Sequence, residues 1–267
     1  MKYKDILFDV ADRIATLTFN LPDSRNPISG ERIIAEIEDA CRQVRFSDDV
    51  SVLIVTGAGK AFSAGGNVKN MRERNQGAGS GPLHIQESYR RGIQRIPLAM
   101  DAVDVPIIGA INGAAIGAGC DTAMMCDIRI ASTYAKFGET FLNLGLIPGD
   151  GGSWFLTRLI GYARMAELTF TGKVIDAEEA LKLGMVSRVV EAEQLMPEAR
   201  ALAATIAEKP PRTLRMAKLL MKQAARMELK DFLDVCAQTQ AVAQNSNDHR
   251  EAVEAFFEKR PAKFVGE

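Results

Sequence analysis

The sequence predicts an α/β protein in which a right-handed spiral of β-β-α units is followed by an all-helical C-terminal region. Three observations carry that expectation. First, two apolar, β-branched runs each end in a glycine-rich turn: residues 50–57 (VSVLIVTG) lead into Ala61–Asn67 (AFSAGGN), and residues 105–111 (VPIIGAI) lead into residues 112–121 (NGAAIGAGCD). A run of this kind reads as a buried strand, and a turn so poor in side chains lets another group approach its backbone. Second, strand, glycine turn and helix recur at intervals of about fifty residues without the self-similarity of a solenoid, which fits a spiral better than an open doubly wound sheet. Third, β content ends near residue 190, and the boundary is expected between a spiral core over residues 1–197 and a helical region over residues 198–267.

Taken in order, residues 13–20 (RIATLTFN) alternate and break at Leu21-Pro22-Asp23, which predicts a hairpin-like opening. Asn26 or Ser29 then starts a helix running to about Phe46, with Ile33, Ile34, Ile37, Ala40, Cys41 and Val44 on one face. A strand covers residues 51–56, and a polar stretch opened by Asn67 contains residues 77–82 (GAGSGP), read as a mobile segment, either a lid or a plain surface loop. Residues 83–101 have helical spacing, residues 105–111 form the next strand, residues 120–126 (CDTAMMC) a buried helix and residues 127–131 (DIRIA) a short strand. Residues 198–208, 212–227 and 230–245 read as three helices closed by residues 256–260 (FFEKR). The apolar positions Leu214, Met216, Ala217, Leu220, Met221 and Ala224 need covering, by the chain's own core or by a subunit interface.

Composition narrows the function classes. With 267 residues, 47% hydrophobic content and 33 Lys and Arg against 34 Asp and Glu, the chain has a net charge of −1 and no basic field for nucleic acid or anionic lipid. The opening MKYKDILFDV alternates like a strand, and no apolar run reaches the roughly 18 residues of a membrane span, so a cytoplasmic protein with no membrane partner is expected. Cys41, Cys120, Cys126 and Cys236 form no CxxC pair, and His84 and His249 show no ligand spacing, so reduced thiols and no metal are expected.

Among short motifs, Gly57-Ala58-Gly59-Lys60 lacks phosphate-loop spacing, and the glycines between Gly113 and Gly119 do not form GxGxxG. Ser63 and Ser153 are not in GxSxG, which argues against a serine hydrolase. The two glycine turns remain. Together they could aim two backbone N–H groups at one oxygen, the arrangement of an oxyanion hole.

With those turns placed, the chain resembles the crotonase (enoyl-CoA hydratase/isomerase) superfamily over nearly its whole length. Residues 61–67, residues 112–127 (NGAAIGAGCDTAMMCD), residues 137–152 (FGETFLNLGLIPGDGG) with residues 158–161 (RLIG), and residues 168–189 (LTFTGKVIDAEEALKLGMVSRV) carry the resemblance. It implies a ClpP/crotonase-like β-β-α superhelix with a C-terminal α-helical trimerisation region, assembly as a homotrimer or hexamer, and an acyl-CoA substrate whose coenzyme A is the only cofactor-like group. Carried over by position, the oxyanion N–H groups are those of Gly66 and Ala118. Ser24, Arg25 and Pro27 match the segment lining the nucleotide, Ala64 lies where the adenine is contacted, and Lys259 and Phe264 complete the site, in the same or a neighbouring subunit.

Family hydratases use two glutamates, one to activate water and one to donate a proton. Here the matching positions hold Asp121, shorter by one methylene, and Phe141, which has no carboxylate. Glu139 and Asp150 are the nearby acids that could compensate; a solvent-exposed Glu139, a turn-forming Asp150 and a helix-capping Asp121 are the competing readings. Phe141 and Trp154 fit an apolar acyl pocket or ordinary core. The expected function is hydration or double-bond isomerisation of an acyl-CoA, with C–C cleavage or thioester hydrolysis on a ring or branched acyl-CoA, and non-catalytic acyl-CoA binding, as the alternatives.

Overall fold

The computed structural model describes residues 3–68, 71–72 and 81–267; most of the glycine-rich stretch at residues 77–82 lies outside the described residues. Its strands are β1 (Ile6–Ala11), β2 (Ile14–Phe19), β3 (Val52–Gly57), β4 (Ala61–Ser63), β5 (Ile107–Ile111), β6 (Ala114–Ile116), β7 (Ile128–Ser132), β8 (Lys136–Gly138), β9 (Val174–Asp176) and β10 (Arg188–Val190). The helices named here are α1 (Glu31–Phe46), α2 (Pro82–Arg91), α3 (Arg95–Ala102), α4 (Ala118–Met124), α5 (Gly152–Ile160), α6 (Tyr162–Thr171), α7 (Ala177–Leu183), α8 (Leu195–Ala207), α9 (Pro211–Ala224), α10 (Leu229–Gln244) and α11 (Asn247–Glu258).

Each turn of the spiral gives one strand to each of two sheets. The larger sheet runs β1-β2-β3-β5-β7-β10 and the smaller β4-β6-β8-β9. Among the described residues β1 with β2 and β8 with β9 pair antiparallel, and the other pairings are parallel. The continuous apolar runs follow from burial on both faces. In β3, Leu53 and Val55 face the main core with Ile33, Ile37 and Val44 of α1, whereas Val52 and Ile54 face a second cluster with Leu195, Ala199 and Ala203 of α8. β5 divides likewise, Ile107 and Ile111 on one side and Ile108 and Ala110 on the other.

Several boundaries differ from the sequence expectation, each for a local reason. Gly30 caps α1, not Asn26 or Ser29. Asn26 instead takes a left-handed conformation (φ 54°) and is fully buried. The junction expected at 197/198 falls inside α8, whose small residues pack on the large sheet. The C-terminal region holds four helices, because Ser246 accepts from the His249 N–H and starts α11 nearly three turns before the Phe256-Phe257 pair.

Beyond α8 the chain buries little. In α9 only Pro211 and Lys218 are buried, and α10 buries no residue. Leu229, Leu233, Val242, Phe256 and Phe257 are exposed along α10 and α11. The C-terminal tail folds back on α11, where the Asp248 carboxylate accepts from the N–H groups of Val265 (2.8 Å) and Gly266 (2.9 Å). Among the described residues no helix is long and apolar enough to cross a membrane.

Candidate active site

The two glycine turns pack backbone against backbone. A Cβ on Gly119 would lie 2.2 Å from the Ser63 carbonyl oxygen, and one on Gly65 would lie 2.3 Å from the Ile116 oxygen and 3.1 Å from the Ala118 nitrogen. Only glycine allows this approach. It sets the chain at Gly66 beside the start of α4, where Gly117 (φ 55°) turns the chain into the helix. Among the described residues neither the Gly66 nor the Ala118 N–H donates to a protein acceptor.

The segment from Ser24 to Pro27 lies along the first turn. The Ala64 N–H donates to the Arg25 carbonyl (2.8 Å) and the Ile28 N–H to the Gly65 carbonyl (3.0 Å). Asn26 locks the pair together: its Nδ2 donates to the Ala58 and Ala61 carbonyls, and its Oδ1 accepts from the Leu21 N–H. Ser24, Arg25, Pro27 and Ala64 are therefore brought beside Gly66. Sequence reading missed the role of Asn26; the only available signal was an Asn between two turn-forming segments.

Three acids converge on the other side of α4. The Gly117 N–H donates to the Gly138 carbonyl (2.8 Å), tying the end of β8 to the start of the helix and placing Glu139 beside it. Asp121 is fully buried, Glu139 is 1% exposed and Asp150 is 4% exposed. The helix-capping reading of Asp121 and the exposed reading of Glu139 do not hold, whereas Asp150 does lie in a turn. Gly117 caps α4, Gly151 precedes α5, neither helix start carries a side-chain cap bond, and Glu139 is not exposed. Glu139 and Asp150 are the acids whose charges act on the Asp121 carboxyl. Both oxygens of Asp121, both of Glu139 and Oδ1 of Asp150 have no protein donor among the described residues.

Burial is the first cause that pushes the Asp121 carboxyl well above the usual carboxylate range, and the charges of Glu139 and Asp150 add to it. Burial also raises Glu139. The neighbouring Cys120 thiol is raised by burial and then by Glu139, which leaves it protonated and inert. Gly152 closes the cluster: a Cβ there would meet Asp121 Oδ1 at 1.9 Å. The turn before it is held by Gln94 Nε2, which donates to the Gly149 carbonyl (2.8 Å), and by the Tyr89 ring lying on Gly149. Gly152, Gln94 and Tyr89 were not legible as site residues, since their role depends on the contact between α4 and the start of α5.

The Phe141 ring lies at the mouth of the second turn, with Cζ 3.8 Å from the position of a Gly117 Cβ. Trp154 is not brought to this place. It lines a separate cavity of about 190 Å³ with Met124, Lys222 and Arg226, and Arg158 stacks on its ring at 3.9 Å. Lys259 (φ 54°) ends α11, and Phe264 belongs to the folded-back tail.

The arrangement offers paired free N–H groups and a buried acid cluster next to them, the parts needed to stabilise an oxyanion and move a proton. The sequence profile of the enoyl-CoA hydratase/isomerase family matches residues 9–267. A probable enoyl-CoA hydratase of Mycobacterium leprae is 36% identical over 265 residues, covering 99% of each chain. A crotonyl-CoA hydratase of Syntrophomonas wolfei is 33% identical over 268 residues, again covering 99% of each chain. The crystal structure of an enoyl-CoA hydratase from Bacillus anthracis superposes with a TM-score of 0.91 at 31% identity, covering 99% of this chain and 100% of that one. Motifs, two-sheet spiral and full-length relatives agree, and the chain belongs to the enoyl-CoA hydratase/isomerase family.

Proposed function

We propose that the protein acts on an enoyl-CoA thioester and moves its double bond, with Asp121 as principal acid/base and the Gly66 and Ala118 N–H groups holding the thioester oxygen. The observation that supports this most is the fully buried Asp121 carboxyl, without a protein donor, on the helix that Ala118 begins. In this reading the C–H bond next to the thioester carbonyl breaks, its electron pair passes into the enolate oxygen between the two N–H groups, and a carboxylate takes the proton. A carboxylic acid then returns a proton at the far end of the conjugated system. One acid/base group suffices for that sequence, whereas hydration by the two-glutamate route needs a second carboxylate where Phe141 stands. Glu139 and Asp150 are the acids that stand in for it, and Phe141 supplies an apolar wall to the acyl group.

In the same reading Ser24, Arg25, Pro27 and Ala64 line the coenzyme A. Lys259 and Phe264 reach it from a neighbouring subunit, and the exposed apolar faces of α9, α10 and α11 are covered by copies of the chain in a homotrimer or hexamer. Sedimentation that finds a stable monomer of about 29 kDa, the mass of the chain, would refute the assembly. Turnover of crotonyl-, 3-enoyl- and 2,4- or 3,5-dienoyl-CoA tests the reaction. Isomerisation should exceed hydration, and Asp121→Asn should lower turnover roughly 10²-fold or more while acyl-CoA affinity is kept. Unchanged turnover in that variant removes Asp121 from the mechanism.

A further inference from the structure

We propose that Gln94 is a positioning residue of the reaction: it holds the turn at residues 148–152 from outside, and through that turn it fixes the place of the Asp121 carboxyl, with Tyr89 as a second hold. The inference rests on the acid/base reading of Asp121 given above.

The turn bears directly on the acids and has little stiffness of its own. Pro148-Gly149-Asp150-Gly151-Gly152 carries three glycines in five positions, and glycine leaves a backbone its greatest freedom. Asp150 is buried within it. Gly152 leaves no slack toward α4, because a Cβ there would meet Asp121 Oδ1 at 1.9 Å. A turn that shifts toward α4 therefore presses on the Asp121 carboxyl.

Gln94 serves this turn and not its own helix. It occupies the N-cap of α3, where a short Ser, Thr, Asp or Asn side chain closes a helix best, and its side chain makes no cap bond. Its Nε2 donates instead to the Gly149 carbonyl (2.8 Å), 55 residues along the chain. The mounting is firm: Ile96 and Met100 of α3 are buried in the main core, and Arg95 pairs with Glu38 of α1. Tyr89 comes from α2, which buries no residue of its own, and its Cε1 lies 2.8 Å from the position of a Gly149 Cβ. The break between α2 and α3 brings the two holds together. The Gln94 and Gly92 N–H groups both donate to the Tyr89 carbonyl (3.1 and 3.3 Å), and a Cβ on Gly92 would lie 2.4 Å from the Ser88 carbonyl oxygen, an approach that glycine allows.

Gln94 touches no reacting atom in this scheme and acts through Asp121. Loss of its donor loosens the turn and misplaces the carboxyl, which slows proton transfer and leaves thioester binding at the glycine turns intact.

A double-mutant cycle in the whole protein tests this, with Asp121→Asn, Gln94→Met and the two combined; Gln94→Met keeps the length of the side chain and removes the donor. Alone, Gln94→Met should lower kcat about 10-fold, with KM and the Kd for butyryl-CoA within about threefold of wild type. In the Asp121→Asn background the same substitution should lower kcat less than about threefold, because the group that the turn positions is already gone. An equal loss in both backgrounds, or no loss in either, overturns the positioning role. Amide hydrogen exchange gives a readout that needs no turnover: residues 149–152 should exchange faster in Gln94→Met while residues 96–102 of α3 keep wild-type protection, and unchanged exchange overturns the hold itself. Gln94→Glu, which turns an acceptor toward the Gly149 carbonyl, takes the place of Gln94→Met in both measurements if the latter does not fold. Full turnover in Asp121→Asn would instead remove the acid/base reading, and the exchange would still decide whether Gln94 holds the turn.

Discussion

Charged groups are buried twice around α4, once beside an opposite charge and once among other acids. Just past the helix, Lys218 Nζ donates to Asp127 Oδ2 (2.7 Å) and to the Val105 carbonyl (2.8 Å), while Asp127 Oδ2 also accepts from the Ile107 N–H (2.7 Å). Burial lowers the Lys218 ammonium, and Asp127 opposes that shift. This group ties α9 to β5. Within the helix, the Asp121 carboxyl has no protein donor among the described residues, and the charges that act on it are those of Glu139 and Asp150. Satisfied burial of charge is what a fold needs for its own integrity, and unsatisfied burial is retained where chemistry uses it.

Opposite responses to neutral substitution would sharpen that contrast. Lys218→Met keeps the apolar stem but leaves the Val105 carbonyl and Asp127 without a cation, and should cost about 2–4 kcal/mol. The lower part of that range is favoured because the Asp127 side chain is 34% exposed. Urea unfolding measures it, and a loss near zero would break the distinction. Next in size is Gly152→Ala, whose new Cβ would overlap Asp121 Oδ1 at 1.9 Å and force the carboxyl aside. Turnover should fall roughly 10- to 100-fold, because misplacing a reacting group by about an ångström is enough for that. A folded Gly152→Ala protein with full turnover would show that the position of Asp121 does not matter.

How much of this was legible in the sequence follows from the range of the interactions involved. The strands at residues 52–57 and 107–111 and the glycine turns after them are local patterns, and they emerged where expected. So did the apolar face of α1, because helical spacing alone defines it. The helices and strands between Gly152 and Asp176 were not resolved from pattern, being short and built on contacts with distant segments. The acids were visible as residue types but not as a cluster. Glu139 and Asp150 meet Asp121 only because Gly117 is bonded to Gly138 and Gly152 leaves room at α5, and neither contact leaves a periodic mark. Trp154 illustrates the converse: its neighbours in sequence point to the site, while helix α5 turns it to the cavity beside Arg226.

The smallest expected effect separates the two buried groups most cleanly by its sign. Asp121 holds its proton to higher pH folded than unfolded, so above the ordinary carboxylate range of about 4 the folded state binds more protons and wild-type stability falls as pH rises. Asp121→Asn cannot lose a proton and escapes that fall. The variant should be close to wild type at pH ~3, where the carboxyl is largely neutral in both states, and more stable by about 1–3 kcal/mol at pH ~8, where the wild-type carboxyl must either ionise in the core or hold a proton the unfolded chain has lost. Urea unfolding at several pH values reads the difference, whose growth with pH is the diagnostic feature. Lys218→Met should be destabilised across the same range. An Asp121→Asn protein less stable than wild type at every pH would mean that Asp121, like Lys218, is held by partners and serves the fold.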